Sequence, residues 1–386
     1  MSRHLLITGD YPPRSGGQAR YLHDLWSGLS GAQATVLAPR VDAGGDGPLA
    51  TGPRVVRVRL PLGDSLTARV GRTLALTLHA LRHARRSRVT AVHAGQIMAG
   101  GTAALACHRA LGCPYTLVAH GSDLMEFARH ALAGRLATTI LRGADRIIAN
   151  SRFTAGEVVR LGADPGRVRV VHPVVDARRF EAERAAATMR ARYGLAGRIV
   201  LLTVARLVPR KGHDVVLEAL RLVRHACPAA HYLVVGDGPA RADLERAAER
   251  LGLSDAVTFA GFVQDDELPA CYAAADVFVM VSRERPAKGD VEGFGIVYLE
   301  ASAAGRAVVA GRSGGVMDAV EDGVTGLLVD PEDPRAVAEA IVHLLDDPDL
   351  RHRMARAGRA RVLERFSPRR GSAAFTEMLD ELARAC

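Results

Sequence analysis

Short apolar runs alternate with amphipathic stretches along most of the chain. The first run, residues 3–8, is built on Leu5, Leu6 and Ile7, and others follow at Thr35–Ala38, Val55–Val58, Val89–Val92, Tyr115–Ala119, Arg146–Ala149 and Val168–Val171. Their length suits strands buried on both faces, and helical patterns separate most of them. That alternation predicts a doubly wound parallel sheet. A second series opens with RIVLLTVARLV, whose strand ends near Ala205, and continues through HYLVVGDGP, VTFAGFV at 257–263, Ala275–Val281 and Gly326–Val329. It predicts a second sheet of the same kind. The stretch VVHPVVDARRF divides the two, with Val174–Phe180 reading as the connection. Pro334 marks the start of one late helix and Ser367-Pro368 a break before the last. The expected organisation is therefore 1–178, 179–368 and a terminal helix at 369–386.

The segment Leu66–Arg88 carries a distinct pattern. At helical spacing Leu66, Val70, Leu74, Leu78 and Leu81 form one stripe, with Arg69, Arg72, Arg82 and Arg86 roughly opposite. A basic amphipathic helix of this kind can lie on anionic lipid. Because a strand at Val89 follows at once, the expectation is that the stripe packs on the sheet and the arginines stand in water.

Composition narrows the picture. A chain of 386 residues exceeds what one core usually covers, and 48% hydrophobic residues suffice for two. No run approaches the ~20 apolar residues of a membrane span, and the N-terminus has no export pattern. Five cysteines form neither a C-x-x-C pair nor a zinc spacing, which points to a reducing cytoplasm. Of 51 basic residues only Lys211 and Lys288 are lysines. Residues 1–178 hold 23 arginines against 11 acidic residues, so the first half is the basic one and faces anionic partners more readily. Nucleic acid is not the expected partner, since aromatic residues are only 4% and no base-stacking platform or recognition motif is present.

Candidate chemistry gathers at predicted strand ends. In SRERPAKGDVEGFGIVYLE, residues 282–300, Glu292 and Glu300 stand eight positions apart. Gly293, Phe294 and Gly295 separate the first from an apolar run, so Glu292 falls in a loop and Ile296–Ala304 forms a helix. The first amides of that helix, near Ile296 and Val297, lack intrahelical partners and suit a phosphate, while carboxylates accept hydrogen bonds from hydroxyls. A sugar nucleotide offers both groups, although an ordinary strand–helix unit with solvated acids would read the same. Arg206 and Lys211 sit at a strand-to-helix turn, where fixed cations suit a pyrophosphate. Gly236 and Gly238 begin a dinucleotide fingerprint that Arg241 leaves incomplete. His120 closes the strand YTLVA, at the end where open α/β sheets bind ligands. Asp123 stands either as an acceptor contact or as a helix cap, and Asp347 and Asp349 read as a cap.

EGFGIVYLE, with the flanking ASAAGRAVVA, resembles the E-x7-E element of the family 4 retaining glycosyltransferases. Their fold is GT-B, two Rossmann-like doubly wound domains whose last helix crosses back onto the first. The resemblance covers nearly the whole chain, which is similar to phosphatidylinositol-type mannosyltransferases and related hexosyltransferases. It implies transfer of a hexose from a nucleotide diphosphate sugar of GDP-mannose or UDP-hexose type to an acceptor hydroxyl. Gly16 and Gly17 would lie against donor phosphate and acceptor, His120 beside the reacting sugar, and Arg206 and Lys211 on the diphosphate. Glu292 would hold sugar hydroxyls, Glu300 the ribose, and Phe262 and Val263 the base through main-chain groups. No cofactor and no metal are expected, because the two cations would do what Mg²⁺ does elsewhere. The acceptor stays open between an anionic glycolipid precursor, reached from the inner face of the membrane, and a soluble metabolite or polysaccharide precursor. A non-catalytic nucleotide-sugar-binding or membrane-adaptor protein is the alternative of another class.

Overall fold

The computed structural model describes residues 3–14, 16–40, 52–61, 63, 65–121, 124, 131–285 and 289–384. Two compact units divide the chain, one of residues 1–173 with 368–386 and the other of residues 174–367.

In the first unit β1 (His4–Ile7), β2 (Ala34–Pro39), β3 (Arg54–Val58), β4 (Ala91–Ala94), β5 (Tyr115–Ala119), β6 (Arg146–Ala149) and β7 (Val168–Val170) form a parallel sheet in the order β3-β2-β1-β4-β5-β6-β7. Alternation splits β1 between two faces: Leu5 and Ile7 enter one core with Leu117 and Ile147, whereas His4 faces His93 at 3.0 Å. Around that imidazole pair pack Trp26 and, 4.4 Å from it, Phe375 of the terminal helix Pro368–Arg384. The last helix thus belongs to the first unit.

The helix Leu66–Ser87 corrects the expected packing. Leu76, Ala80 and Ala84 are its buried residues, while Leu66, Val70, Leu74 and Leu78 are 50–76% exposed. The reason is that it packs on the helix Ala99–Leu111, itself rich in Gly and Ala, through small side chains that permit close approach. Its end is set by Arg88 in the left-handed conformation, φ 49°, so β4 starts at Ala91 and not at Val89.

In the second unit β8 (Ile199–Val204), β9 (Ala230–Val235), β10 (Val257–Gly261), β11 (Val277–Met280), β12 (Ala307–Gly311) and β13 (Gly326–Val329) run parallel in the order β10-β9-β8-β11-β12-β13. Val200 and Leu202 enter one core, Leu201 the other, as a strand period of two requires. Val174–Phe180 is part of this unit: the Val175 amide donates to the Phe366 carbonyl at 2.8 Å, and Val175, Ala177 and Phe180 are buried in its core. Asp347 caps the helix Pro348–Arg365 by accepting from the Leu350 amide at 2.8 Å.

Both sheets reverse direction beside their first strand, between β1 and β4 and between β8 and β11. Ligands of open α/β sheets bind outside the carboxyl ends of strands at such switch points.

Candidate active site

At the second switch point β8 leads through Ala205 and Arg206 into a tight turn, Pro209–Lys211, before the helix His213–Ala226. Gly212 has φ +73°, and a Cβ there would stand 2.2 Å from the Val281 carbonyl oxygen. Only glycine lets this turn lie against the end of β11. Lys211 is buried as a result, and its Nζ donates to the Glu292 carboxylate. Arg210 reaches the same carboxylate at 3.2 Å and Asp290 at 2.9 Å, and Ser282 Oγ donates to Glu292 at 3.3 Å.

Burial pushes the Glu292 carboxyl up, but Lys211 and Arg210, with hydrogen bonds from Lys211 and Ser282, outweigh it and hold the group below its ordinary value. Burial lowers Lys211, and Glu292 opposes that. Both partners of this ion pair are buried from solvent. Behind the turn the Val279 carbonyl accepts from Thr203, whose Oγ1 accepts from the Tyr232 hydroxyl at 2.8 Å, and Tyr232 contacts His213 Nδ1 at 3.1 Å.

The loop around Glu292 is fixed from two sides. Gly295, φ +85°, caps the helix Ile296–Ala303 where a Cβ would strike the Tyr298 ring at 2.4 Å. After β12, Gly314 comes so close that a Cβ would meet the Glu292 carbonyl oxygen at 2.5 Å, and the Gly315 amide donates to that oxygen at 2.9 Å. Within the helix Glu300 is buried and accepts from the Tyr272 hydroxyl at 2.8 Å.

Other residues singled out in the sequence are distributed unevenly. Arg206 is exposed and does not join the Lys211 cluster among the described residues. Gly236 and Gly238 serve close packing, since side chains there would strike the Ala205 and Leu207 carbonyls at 2.0 and 2.5 Å, and the Leu207 amide donates to Asp237 O at 3.0 Å. The turn they form therefore props the loop that carries Arg206. Phe294 turns its side chain into the core against Phe366, so only its main chain faces the Glu292 loop. Gly293 is buried beside it, and Ile296 and Val297 are half-buried at the helix start. Val263 is buried, and its neighbour Phe262 is 60% exposed.

At the first switch point Gly16 has φ +139° with open space where a Cβ would stand, and Gly17 begins the helix Gly17–Trp26, which has no side-chain cap. Gln96, after β4, accepts from the Gly9 amide at 2.8 Å and donates to Asp10 at 3.3 Å. His120, after β5, is buried, and its Nε2 donates to the Gly95 carbonyl at 2.7 Å, so that nitrogen carries a proton. Tyr21 stands edge-on to its ring at 5.8 Å. Asp123 lies outside the described residues. Arg210, Ser282, Asp290, Tyr272 and Gln96 were not singled out from the sequence. Arg210, adjacent to Lys211 in PRKG, carried the plainest signal.

Among the described residues no helix is long and apolar enough to cross a membrane, and no cluster of three or more His, Cys, Asp or Glu side chains could hold a metal ion. Residues 15–179 match the family described as Glycosyltransferase Family 4, and residues 187–361 the one described as Glycosyl transferases group 1. The GDP-mannose-dependent alpha-(1-6)-phosphatidylinositol monomannoside mannosyltransferase of Mycobacterium tuberculosis is 38% identical over 372 residues, covering 93% of each chain. The D-inositol 3-phosphate glycosyltransferase of Streptomyces scabiei is 39% identical over 252 residues, 62% of this chain and 55% of that one. In fold, the sucrose-phosphate synthase of Thermosynechococcus elongatus superposes over 100% of both chains with a TM-score of 0.85 at 22% identity. The chain belongs to family 4 of the glycosyltransferases, enzymes of GT-B fold that move a glycosyl unit from a nucleotide sugar.

Proposed function

We propose that this enzyme transfers a mannosyl unit from GDP-mannose to a hydroxyl of an inositol-bearing anionic glycolipid precursor, with the anomeric configuration retained and without a metal. The observation that carries the reading is the buried Lys211–Glu292 pair at the second switch point. A donor diphosphate competes for Lys211 as a carboxylate does. When the ammonium turns to phosphate, Arg210 and Ser282 still hold Glu292, which is left to accept hydrogen bonds from the sugar hydroxyls. Arg206 adds a second cation, and the amides of Ile296 and Val297 a third source of positive potential, as charge grows on the departing diphosphate.

The acceptor hydroxyl attacks C1 on the face the diphosphate leaves. The C1–O bond to phosphate breaks as the new glycosidic bond forms, and the acceptor's proton passes to the leaving phosphate oxygen. Glu300, steadied by Tyr272, takes the ribose hydroxyls. Phe262 and Val263 serve the base through their main chain, with Gly236 and Gly238 supporting the donor loop. His120, Gly16 and Gly17 are assigned to the transferred sugar and acceptor, and Asp123 to the acceptor.

The full-length likeness to mannosyltransferases supports the donor and the lipid. Support for work at a membrane surface comes from the exposed row Leu66, Val70, Leu74 and Leu78 on a helix whose Arg69, Arg82, Arg85 and Arg86 are also exposed. The likeness to inositol-phosphate enzymes supports a soluble acceptor as the second reading. The test is product formation from GDP-mannose, UDP-glucose and UDP-GlcNAc with phosphatidylinositol-type and soluble inositol acceptors, with and without chelator. A glycoside of retained configuration from GDP-mannose in chelator is expected. Nucleotide release without any glycoside would overturn the transfer, and an inverted product the mechanism.

A further inference from the structure

The end of β10 carries an arrangement that the donor chemistry above leaves unused. Its pairing with β9 is regular from Val257 to Phe259 and then shifts, so that Gly261 and not Ala260 stands opposite Val235. A bulge of this kind bends an edge strand and re-aims the side chains that follow it. Gly261, φ +73°, completes the turn, and its carbonyl accepts from the Gly236 amide at 2.8 Å. Just beyond it the Phe262 side chain is 60% exposed. One exposed ring is no platform for a nucleic acid, but it offers a single base a face to lie on.

Beside this turn stands Arg241, the first residue of the helix Arg241–Arg250. Its guanidinium is held in place: Nε donates to Glu245 at 2.8 Å, Nη2 donates to the Phe259 carbonyl at 3.3 Å, and the group lies over the Phe259 ring, 5.9 Å from its centre. Nη1 lies next to Gly261, 3.4 Å from where a Cβ would stand. Glu245 answers the charge, so Arg241 is poorly suited to capture a phosphate. It is instead a donor fork fixed in direction, which loses little freedom when a ligand meets it. In the sheet β10 lies two strands from β8, about 10 Å at ordinary strand spacing. A nucleoside spans such a distance, so a donor whose diphosphate sits at the turn after β8 can bring its base to the loop after β10. Guanine presents two acceptors, O6 and N7, on one edge, which a guanidinium meets with two hydrogen bonds, whereas uracil presents O4 alone. We infer that Arg241 selects the donor's base by reading the O6–N7 edge of guanine, while Phe262 packs on the ring face. The inference rests on the GDP-mannose reading above and gives the choice of base to one side chain.

The test is calorimetric binding of GDP, 7-deaza-GDP and UDP to the wild type, Arg241→Met and Arg241→Lys, with thermal unfolding as the check on folding. Methionine keeps an apolar stem against Phe259, and lysine keeps the charge without the fork. The wild type should prefer GDP to UDP and bind 7-deaza-GDP more weakly than GDP. Arg241→Met should weaken GDP by about 10–100-fold, no longer distinguish it from 7-deaza-GDP, and leave UDP unchanged. Arg241→Lys should recover only part of the loss. In turnover the change should fall on the KM for GDP-mannose with kcat near the wild-type value, since the base is bound alike in ground and transition states. A purely structural role would instead lower the unfolding temperature and weaken UDP as much as GDP. That outcome, or an undiminished GDP preference in either folded variant, would overturn the inference and leave the GDP-mannose reading standing. A wild type that binds UDP as tightly as GDP would overturn both together.

Discussion

The two sheets reverse at corresponding places, yet their switch points are furnished in opposite ways. Beyond β8 and β11 stand fixed charges: Lys211 and Glu292, both buried, are linked to the half-buried Arg210 and Asp290 in one network. Beyond β1, β4 and β5 the neighbouring loops are joined by single side-chain hydrogen bonds, with Gln96 bonded to Gly9 and Asp10 and His120 to the Gly95 carbonyl. The contrast follows from what each side is proposed to handle. A diphosphate brings formal charge that must be met where solvent is excluded, whereas a hydroxyl asks only for donors and acceptors in place. A charged network can be assembled without its ligand only if it neutralises itself. Glu292 does that for Lys211.

The largest effects should come from breaking that self-neutralisation. Lys211→Ala removes the cation assigned to the leaving phosphate and should lower turnover by ~10²–10³-fold. It also leaves Glu292 buried with less compensation, and loss of one partner of a buried pair costs about 3–5 kcal/mol. Glu292→Gln should lower turnover comparably while leaving GDP affinity nearly unchanged, because the carboxylate is assigned to the sugar. Equal loss of GDP affinity in both variants would mean that the pair acts as one structural unit. Arg206→Ala separates charge from structure: turnover should fall ~10²-fold with little change in unfolding temperature, since Arg206 is exposed and outside the network.

On the first unit the strongest expected effect lies away from the switch point, on the helix Leu66–Ser87. Arg69, Arg82, Arg85 and Arg86 changed together to Gln should reduce partitioning onto anionic vesicles several hundredfold, at about 1 kcal/mol each. Added salt should mimic the change. Co-sedimentation measures both, and a wild type that ignores anionic vesicles at low salt would leave the exposed leucines without a lipid role.

Acid should weaken the second unit through a group with no assigned place in the chemistry. Burial first, and then the Lys211 ammonium, push His213 down to about 4. The unfolded chain takes up that proton near the ordinary value of about 6.5, and the folded chain does not until about 4, so stability falls as pH falls between them. The full effect is about 3 kcal/mol. Urea unfolding of His213→Asn at neutral pH and near pH 4.5 should show a flatter dependence than the wild type. An unchanged slope would assign the acid sensitivity elsewhere, with the buried His4 and His93 of the first unit the next to test.

How far these features are legible in the sequence differs by kind. Tyr115–Ala119 and Arg146–Ala149 fall residue for residue on strands because a strand buried on both faces is written as a short, mostly apolar run. The leucine row of Leu66–Ser87 is legible as a face, but periodicity does not say which face is inside. That was decided by Ala80 and Ala84, whose small size admits the neighbouring helix. At the site, Lys211 and Glu292 stand out by residue type and by their flanking glycines. Their contact spans 81 positions and depends on β8 lying beside β11, which only the sheet order supplies. Tyr272 beneath Glu300 and Ser282 beneath Glu292 are hidden for the same reason.

The smallest effect, and the sharpest test of the contrast, concerns His120. Its Nε2 is committed to the Gly95 carbonyl, its own carbonyl accepts from Asn150 at 3.4 Å, and Tyr21 closes its ring edge-on. A positioning group of this kind is worth about one hydrogen bond, so His120→Ala should reduce turnover only about tenfold, with GDP affinity intact. Part of any stability change would come from the Gly95 carbonyl left buried without its donor. His120→Asn and His120→Gln, which keep an N–H donor, therefore separate the two roles. If either restores stability but not turnover, the imidazole acts on the substrate. If His120→Ala costs as much as Lys211→Ala while stability holds, the first switch point carries a catalytic group as demanding as those of the second, and the contrast between a buried charged network on one side and single positioning hydrogen bonds on the other is wrong.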